Sequence, residues 1–366
     1  GGLSRTNRAD AVDAEKWGTG NATNNTVNIT NSTITVAPQT SNSVFAIGNN
    51  PVAVAGGASQ YYLGDAAGNT VNITGSQING AVVGGLSYVQ TTQEEVDNHP
   101  DITANRNNNK NSVYITDSTV AGDVYGSYGG VVGNNNKVVL DGATVNGKVV
   151  AAKSGFTLHD DSVATGTFDY NRLDLLNGSS VQAAAAVDAN NNNASHNTMN
   201  IQNSTVANGT LYTVRMIHGL EDNSNTISGT TNYNTLSIAD TPMTGYEIGA
   251  TINFTENPSN NMVSIKNSDI TLNYDSDYTF GGIMDPQNLI SHKLLGTETK
   301  LGNPIAPALD TTHGYIFGGV TSDYTSTVNT TPSETAPEEV INGFGTSANN
   351  NIVSLQGGTF NANVIG

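Results

Sequence analysis

Asn69-Thr70-Val71-Asn72-Ile73-Thr74-Gly75-Ser76-Gln77-Ile78-Asn79-Gly80-Ala81-Val82-Val83-Gly84-Gly85 is the cleanest copy of a phrase that recurs nine times in this chain. As a pattern it reads Asn-x-Val-x-Ile-x-x-Ser-x-Val-x-Gly-x-Val. Asn69, Val71 and Ile73 share one parity, so on a strand they point to one face. Ile78 falls on the other parity. The side-chain phase therefore slips between the two segments, and a turn is expected at Thr74-Gly75, as at Thr116-Asp117 in the third copy. Val120, Gly122 and Val124 again share a parity, with a bend expected at Gly122, where the missing side chain lets the backbone turn. One phrase is two or three short strands separated by corners.

The copies open at Asn25, Asn69, Asn111, Asn136, Asn171, Asn197, Asn234, Asn261 and Asn351. The shortest intervals are Asn111 to Asn136, Asn171 to Asn197 and Asn234 to Asn261. Each is the length of one three-sided coil of a β-solenoid, in which every strand pairs with its copy ~4.8 Å away in the next coil. Longer intervals, such as Asn25 to Asn69, imply a coil plus a loop or a second coil with a degraded phrase. The predicted fold is all-β: a right-handed parallel β-helix with loop insertions, the hand following from the crossover rule. Stacking places the nine phrase-opening Asn residues one above another, as a structural ladder of amides at a corner. Val and Ile fill the bore. The expected organisation is an N-terminal cap or extension over 1–24 and β-helix repeats over 25–284. An insertion or degenerate coils follow over 285–345, and a terminal coil over 346–366.

Bulk composition agrees. The 366 residues exceed the ~250–300 at which single compact cores stop growing, so several domains or one elongated repeat are required. Charged residues are 12% and glycines number 40, yet the recurring Val and Ile separate the chain from disordered sequences. Acidic residues outnumber basic ones 31 to 13, a formal charge of −18, which argues against nucleic acid and anionic membrane partners. The same charge suits solubility or loosely bound Ca²⁺ outside a cell. No cysteine is present, which fits bacterial secretion, and no run is long and apolar enough to span a bilayer. No signal peptide is legible, and Gly1 in place of Met is read as the start of a mature or excised fragment.

The cleanest copy, together with Asp117-Ser118-Thr119-Val120-Ala121-Gly122-Asp123-Val124-Tyr125-Gly126, resembles the passenger-domain repeats of bacterial autotransporters and related surface proteins. The resemblance covers about residues 25–284 and 351–366. It implies a right-handed parallel β-helix, export through the outer membrane and a role at the cell surface. It carries no catalytic residues to transfer.

Extracellular β-helices also include polysaccharide lyases and hydrolases, which need carboxylates for acid/base work or for Ca²⁺. The densest cluster is Glu94, Glu95, Asp97, His99 and Asp101, between the second and third copies. Its simplest reading is a solvated acidic loop, since carboxylates in one flexible run are not preorganised. His159-Asp160-Asp161 and the Asp275/Asp277 pair lack EF-hand spacing. The six histidines show no metal-ligand spacing, and no nucleophile elbow occurs. Aromatic residues gather in the C-terminal half, among them Tyr246, Tyr274, Tyr315 and Phe317. They are expected to fill wider coils, or to stack on sugars or a partner chain. Phe280-Gly281-Gly282 and Phe317-Gly318-Gly319 read as strands running into a bend.

The expectation is a non-enzymatic extracellular or cell-surface scaffold, adhesin or self-assembling fibre subunit without a resident cofactor. Its expected partners are further copies stacked head to tail, or surface glycans or proteins. The alternative is a glycan-active β-helix enzyme. Function, if specific, should lie in what interrupts the phrase: residues 90–110, 285–345 and the two ends.

Overall fold

The copies of the phrase fold as short strands on three sides of a coil, with one strand running through the second and third sides in the fourth copy (Thr144–Lys153) and the fifth (Ser180–Ala189), and each strand pairs with its counterparts in the neighbouring coils. The computed structural model describes residues 2–5, 20–36, 46–47, 50–60, 64–88, 107–130, 132–154, 166–189, 193–207, 210–216, 230–253, 258–274, 312–321 and 349–365. Every regular element among them is a strand.

The first side of the solenoid carries the Val-x-Ile segment. Its nine strands run from Thr26–Thr30, Thr70–Thr74 and Ser112–Thr116 to Met262–Lys266 and Ile352–Gln356, hydrogen-bonded in chain order. Every pair is parallel: Val71 lies beside Val27 and Val113, and Ile73 beside Ile29 and Ile115. The second side is short, as in Thr33–Thr35, Gln77–Asn79 and Thr119–Val120 in the early coils and Ile270–Leu272 in a late one. The third side is the longest, with ten strands from Gly2–Arg5 through Asn50–Gln60, Ala81–Tyr88 and Val124–Tyr128 to Tyr315–Thr321 and Asn363–Ile365.

This pairing settles how intervals of different length are built. Thr26–Thr30 pairs directly with Thr70–Thr74, and Met262–Lys266 directly with Ile352–Gln356. Each interval is therefore one coil, and the surplus residues leave the coil as excursions. Within 285–345, Tyr315–Thr321 is the third-side strand of the coil that opens at Asn261, lying between Glu247–Asn253 and Asn363–Ile365. Within 1–24, Gly2–Arg5 is likewise a third-side strand, parallel to Asn50–Gln60. Trp17 lies outside the described residues.

The bore is filled by matching rows. Val71, Ile73, Ile78 and Val82 in one coil, and Val113, Ile115, Val120 and Val124 in the next, are all buried in one continuous cluster. Burying each such side chain stabilises the fold by roughly 1.5–3 kcal/mol as an upper estimate. The alternation along the strand is what makes this possible, because Asn72 and Tyr114 between the buried pairs face outward.

A second apolar layer lies on the outer face of the third side. Val83, Leu86, Tyr125, Val150 and Ala185 cluster there with Ile47, from a short strand antiparallel to the start of Asn50–Gln60. Tyr125, Tyr212 and Phe317 share one outward register row and are buried. This corrects the expectation for Phe317, because Ile316 enters the bore cluster and Phe317 packs outside it. Gly318-Gly319 also differs from expectation. Both glycines lie within the strand, and a Cβ on Gly318 would come 2.7 Å from the Cβ of Asn351. The glycine pair makes room for the next ladder Asn rather than turning the chain. Phe280, Gly281 and Gly282 lie outside the described residues.

Candidate functional site

The corner before the first side is built on the phrase-opening Asn. The backbone N–H of Asn69 donates to Asn111 Oδ1 (3.0 Å), that of Asn111 to Asn136 Oδ1 (3.0 Å), and that of Asn136 to Asn171 Oδ1 (2.9 Å). The same donation links Asn25 to Asn69, Asn171 to Asn197, Asn197 to Asn234, Asn234 to Asn261 and Asn261 to Asn351. In most steps the side-chain Nδ2 donates to the same oxygen, as from Asn136 to Asn171 Oδ1 (3.1 Å). Asn69 through Asn261 are buried along this line. Burying an amide is costly unless it is hydrogen-bonded, and the stack supplies the bonds. The nine Asn residues are thus brought together as structure.

Two further ladders flank this one. At the corner after the first side, the N–H of Ser32 donates to Ser76 Oγ (3.1 Å) and that of Ser76 to Ser118 Oγ (3.0 Å). Each hydroxyl turns back to a carbonyl two residues earlier, as Ser118 Oγ does to Thr116 O (2.6 Å). Two residues before the ladder Asn, a third line runs in the opposite sense. Asn134 N–H donates to Asn109 Oδ1, Asp169 N–H to Asn134 Oδ1 and Ser195 N–H to Asp169 Oδ1, all at 2.7 Å. Burial raises the Asp169 carboxyl above its ordinary range, opposed by the Ser195 N–H and by the charge of His196.

The corners require left-handed backbone. All fourteen non-glycine residues of positive φ among the described residues sit either directly before a ladder Asn or six residues after it. Asn and Asp tolerate this region, since their short side chains bond locally, whereas a bulky residue there costs about 1–2 kcal/mol. The position directly before the ladder holds Asn24, Gly68, Lys110 and Asn135, then Tyr170, His196 and Tyr233, then Asn260 and Asn350. Tyr170, His196 and Tyr233 have φ of 59°, 61° and 59°.

These three rings form a continuous outward stack. Tyr170 and His196 lie 4.9 Å apart at 4° between planes, and His196 and Tyr233 lie 5.0 Å apart at 6°. Tyr170 is 57% exposed and Tyr233 53%. The faces between the rings are used by the stack itself. The face of Tyr170 toward Asn135 and the face of Tyr233 toward Asn260 end the series, beside a shorter exposed side chain in each case. No expectation was attached to these rings. Their signal was one residue upstream of the phrase, where three consecutive coils place a ring before Asn.

Charged side chains gather on the outer third side. Asp188 pairs with Lys153 at 2.5 Å and lies 3.9 Å from Arg215. Burial pushes the Asp188 carboxyl up, but the Lys153 and Arg215 charges outweigh it and hold the group below its ordinary range. Arg215 is lowered by burial, against the pull of Asp188. On the first side, Arg172 Nε donates to both oxygens of Asp174 (2.9 and 2.7 Å), which also accepts from Asn200 Nδ2 (2.7 Å). These carboxylates are held by cations and amides as structural ion pairs.

Glu94, Glu95, Asp97, His99, Asp101, His159, Asp160, Asp161, Asp275 and Asp277 lie outside the described residues. Among the described residues, no group of three or more His, Asp or Glu could hold a metal ion, and no helix is long and apolar enough to cross a membrane.

Stacked parallel coils with polar ladders at their corners define a β-solenoid. Comparison with known proteins finds no matching family model, no matching curated protein and no matching solved structure.

Proposed function

We propose that the chain is a non-catalytic scaffold of the bacterial surface or extracellular space, working as an adhesin or as a fibre subunit that stacks end to end. The observation that carries this reading is the continuous stacking of the coils, in which the Val, Ile and Asn of successive copies are turned inward and buried. The Asn ladder also has a direction, with each coil's N–H donating to the Oδ1 of the following coil. A ladder of this kind can run from one copy into the next, and a heterologous contact that does not close propagates into a filament.

The resemblance of the phrase to autotransporter passenger repeats supports placement at the cell surface. The scaffold role is supported by the use of the repeated residues, which are consumed by bore and ladders.

Sedimentation velocity of the full chain over rising concentration, with electron microscopy of the same samples, tests the fibre reading. Growth into rods one coil wide is expected, and monomers at the highest concentration would overturn it. Incubation with a polysaccharide panel tests the non-catalytic reading, which release of unsaturated or reducing sugars would overturn.

A further inference from the structure

We propose that the Tyr170–His196–Tyr233 stack is a binding site for a neutral oligosaccharide, which lays an apolar sugar face on a terminal ring and hydrogen-bonds the neighbouring corner amide. This rests on the adhesin branch of the reading above and supplies its ligand class.

The stack occupies positions where a ring is unfavourable. At the same left-handed corner the other coils carry Asn24, Gly68, Asn135, Asn260 and Asn350, residues suited to that backbone, with Lys110 the one other exception. A tyrosine there gains only the contact with its neighbouring ring in return, since both tyrosines stay more than half exposed. Backbone outliers held in place by surrounding structure cluster at ligand-contacting sites. Here the ladders on both sides of the corner fix the conformation, as Asn171 and Asn234 lie buried directly after Tyr170 and Tyr233.

The geometry selects the ligand. The inner faces of the rings are spent on one another, with planes only 4° and 6° apart. That leaves one outer ring face at each end of the stack, each next to the shorter, exposed Asn of the adjoining coil. A tyrosine ring offers a flat apolar face with a polar tip, and the amide beside it offers both a donor and an acceptor. A pyranose presents the matching surfaces: a face of C–H bonds and a rim of hydroxyls. The rim of the site is polar, made by Asn134, Asp169, Ser195, Asn232 and Ser259 on the adjacent ladder. Asp169 is the one carboxylate in that line, and its Oδ1 is engaged by Ser195. A formal charge of −18 repels polyanions and disfavours lateral packing of a second copy on this corner.

The test uses the full chain and a panel of neutral tetra- to hexasaccharides, including xylo-, cello-, manno- and N-acetylchito-oligosaccharides. Saturation-transfer NMR identifies binders, and titration calorimetry measures affinity. The decisive variant is Tyr170→Asn/Tyr233→Asn, which installs the residue already used at this corner by neighbouring coils and so preserves the fold. Its affinity is expected to fall about tenfold or more, with thermal midpoint and circular dichroism unchanged. Tyr170→Phe/Tyr233→Phe, which keeps both faces, should bind within about threefold of the parent. Absence of any binder, or a binder indifferent to the Asn variant, would overturn the proposal. So would loss of lateral self-association in the Asn variant without sugar binding by the parent, which makes the stack a contact between copies. Binding followed by shortening of the sugar sinks the non-catalytic reading while leaving the stack as the site. Failure of end-to-end stacking leaves the sugar result untouched.

Discussion

The same residue type does different work in this chain according to which way its parity turns it. Asn136 and Asn72 both make amide-to-amide bonds between coils. The Oδ1 of Asn136 accepts two buried donors, the N–H (3.0 Å) and Nδ2 (3.2 Å) of Asn111. Nδ2 of Asn72 donates to Asn28 Oδ1 at 2.8 Å on the outer face of the first side. Asn136→Ala leaves two buried donors without their acceptor and is expected to cost about 2–5 kcal/mol, whereas Asn72→Ala should cost under about 1 kcal/mol. Urea denaturation of the two variants checks this, and equal midpoints would show that the ladder is worth no more than a surface contact. The Asn role was legible because a polar residue on an apolar parity needs a reason, and stacking supplies one. The Ser role was not. Ser76 and Ser118 stand at a turn, where a small polar residue is ordinary, and Ala143 and Gly358 interrupt the series. The Tyr170–His196–Tyr233 stack was illegible for a related reason. The position before the ladder holds Asn, Gly or Lys in the other coils, so no repeated residue drew attention to it, and the shared left-handed corner identifies the three rings as equivalent.

Between coils, the third side shows how closely neighbouring elements approach and why Phe317-Gly318-Gly319 does not run into the expected bend. The glycine pair at the same register in the second coil shows the reason. Gly84 and Gly85 continue the strand, beside the Asn that opens the following coil. A Cβ on Gly85 would lie 2.3 Å from the carbonyl oxygen of Ala66 and 2.4 Å from Asn111 Nδ2. Sequence shows that a side chain is missing but not whether space or backbone conformation forbids it. In the next coil the matching register position is Ser127, and in the one after it Ala152. The Ser127 hydroxyl is buried and makes no hydrogen bond. Opposite outcomes are therefore expected at one register position. Gly85→Ala should destabilise by about 1–3 kcal/mol through overpacking. Ser127→Ala should be neutral or stabilising, because it removes an unsatisfied buried group. Thermal and urea unfolding of both variants decide the point, and a destabilised Ser127→Ala would mean that its hydroxyl is bonded after all.

As a whole molecule the solenoid is close to one-dimensional: each coil contacts chiefly its two neighbours, and stability accumulates along the axis. Coil order was legible from the phrase alone, because parallel stacking forces equivalent residues into line. The size of the excursions was not, since a long interval is equally compatible with a loop and with a coil whose phrase has decayed. Direct pairing of Met262–Lys266 with Ile352–Gln356 decides for excursions, which leave the stack unbroken. An unbroken stack predicts a gradient of local opening. Amides of the interior first-side strands, such as Val71, Ile73, Val113 and Ile115, should exchange slowest, because both neighbouring coils cover them. Val27 and Ile29 at one end, and Val353 and Leu355 at the other, have among the described residues a first-side strand on one side only and half-buried side chains, so they should exchange fastest of the first-side strands. If copies stack end to end, protection of these terminal strands must rise with protein concentration while the interior stays constant, because mass action covers only the ends. Added salt should enhance the effect by screening the repulsion between chains of charge −18. Hydrogen exchange at several concentrations reads both quantities at once. A gradient that does not move with concentration leaves the solenoid intact but removes the fibre.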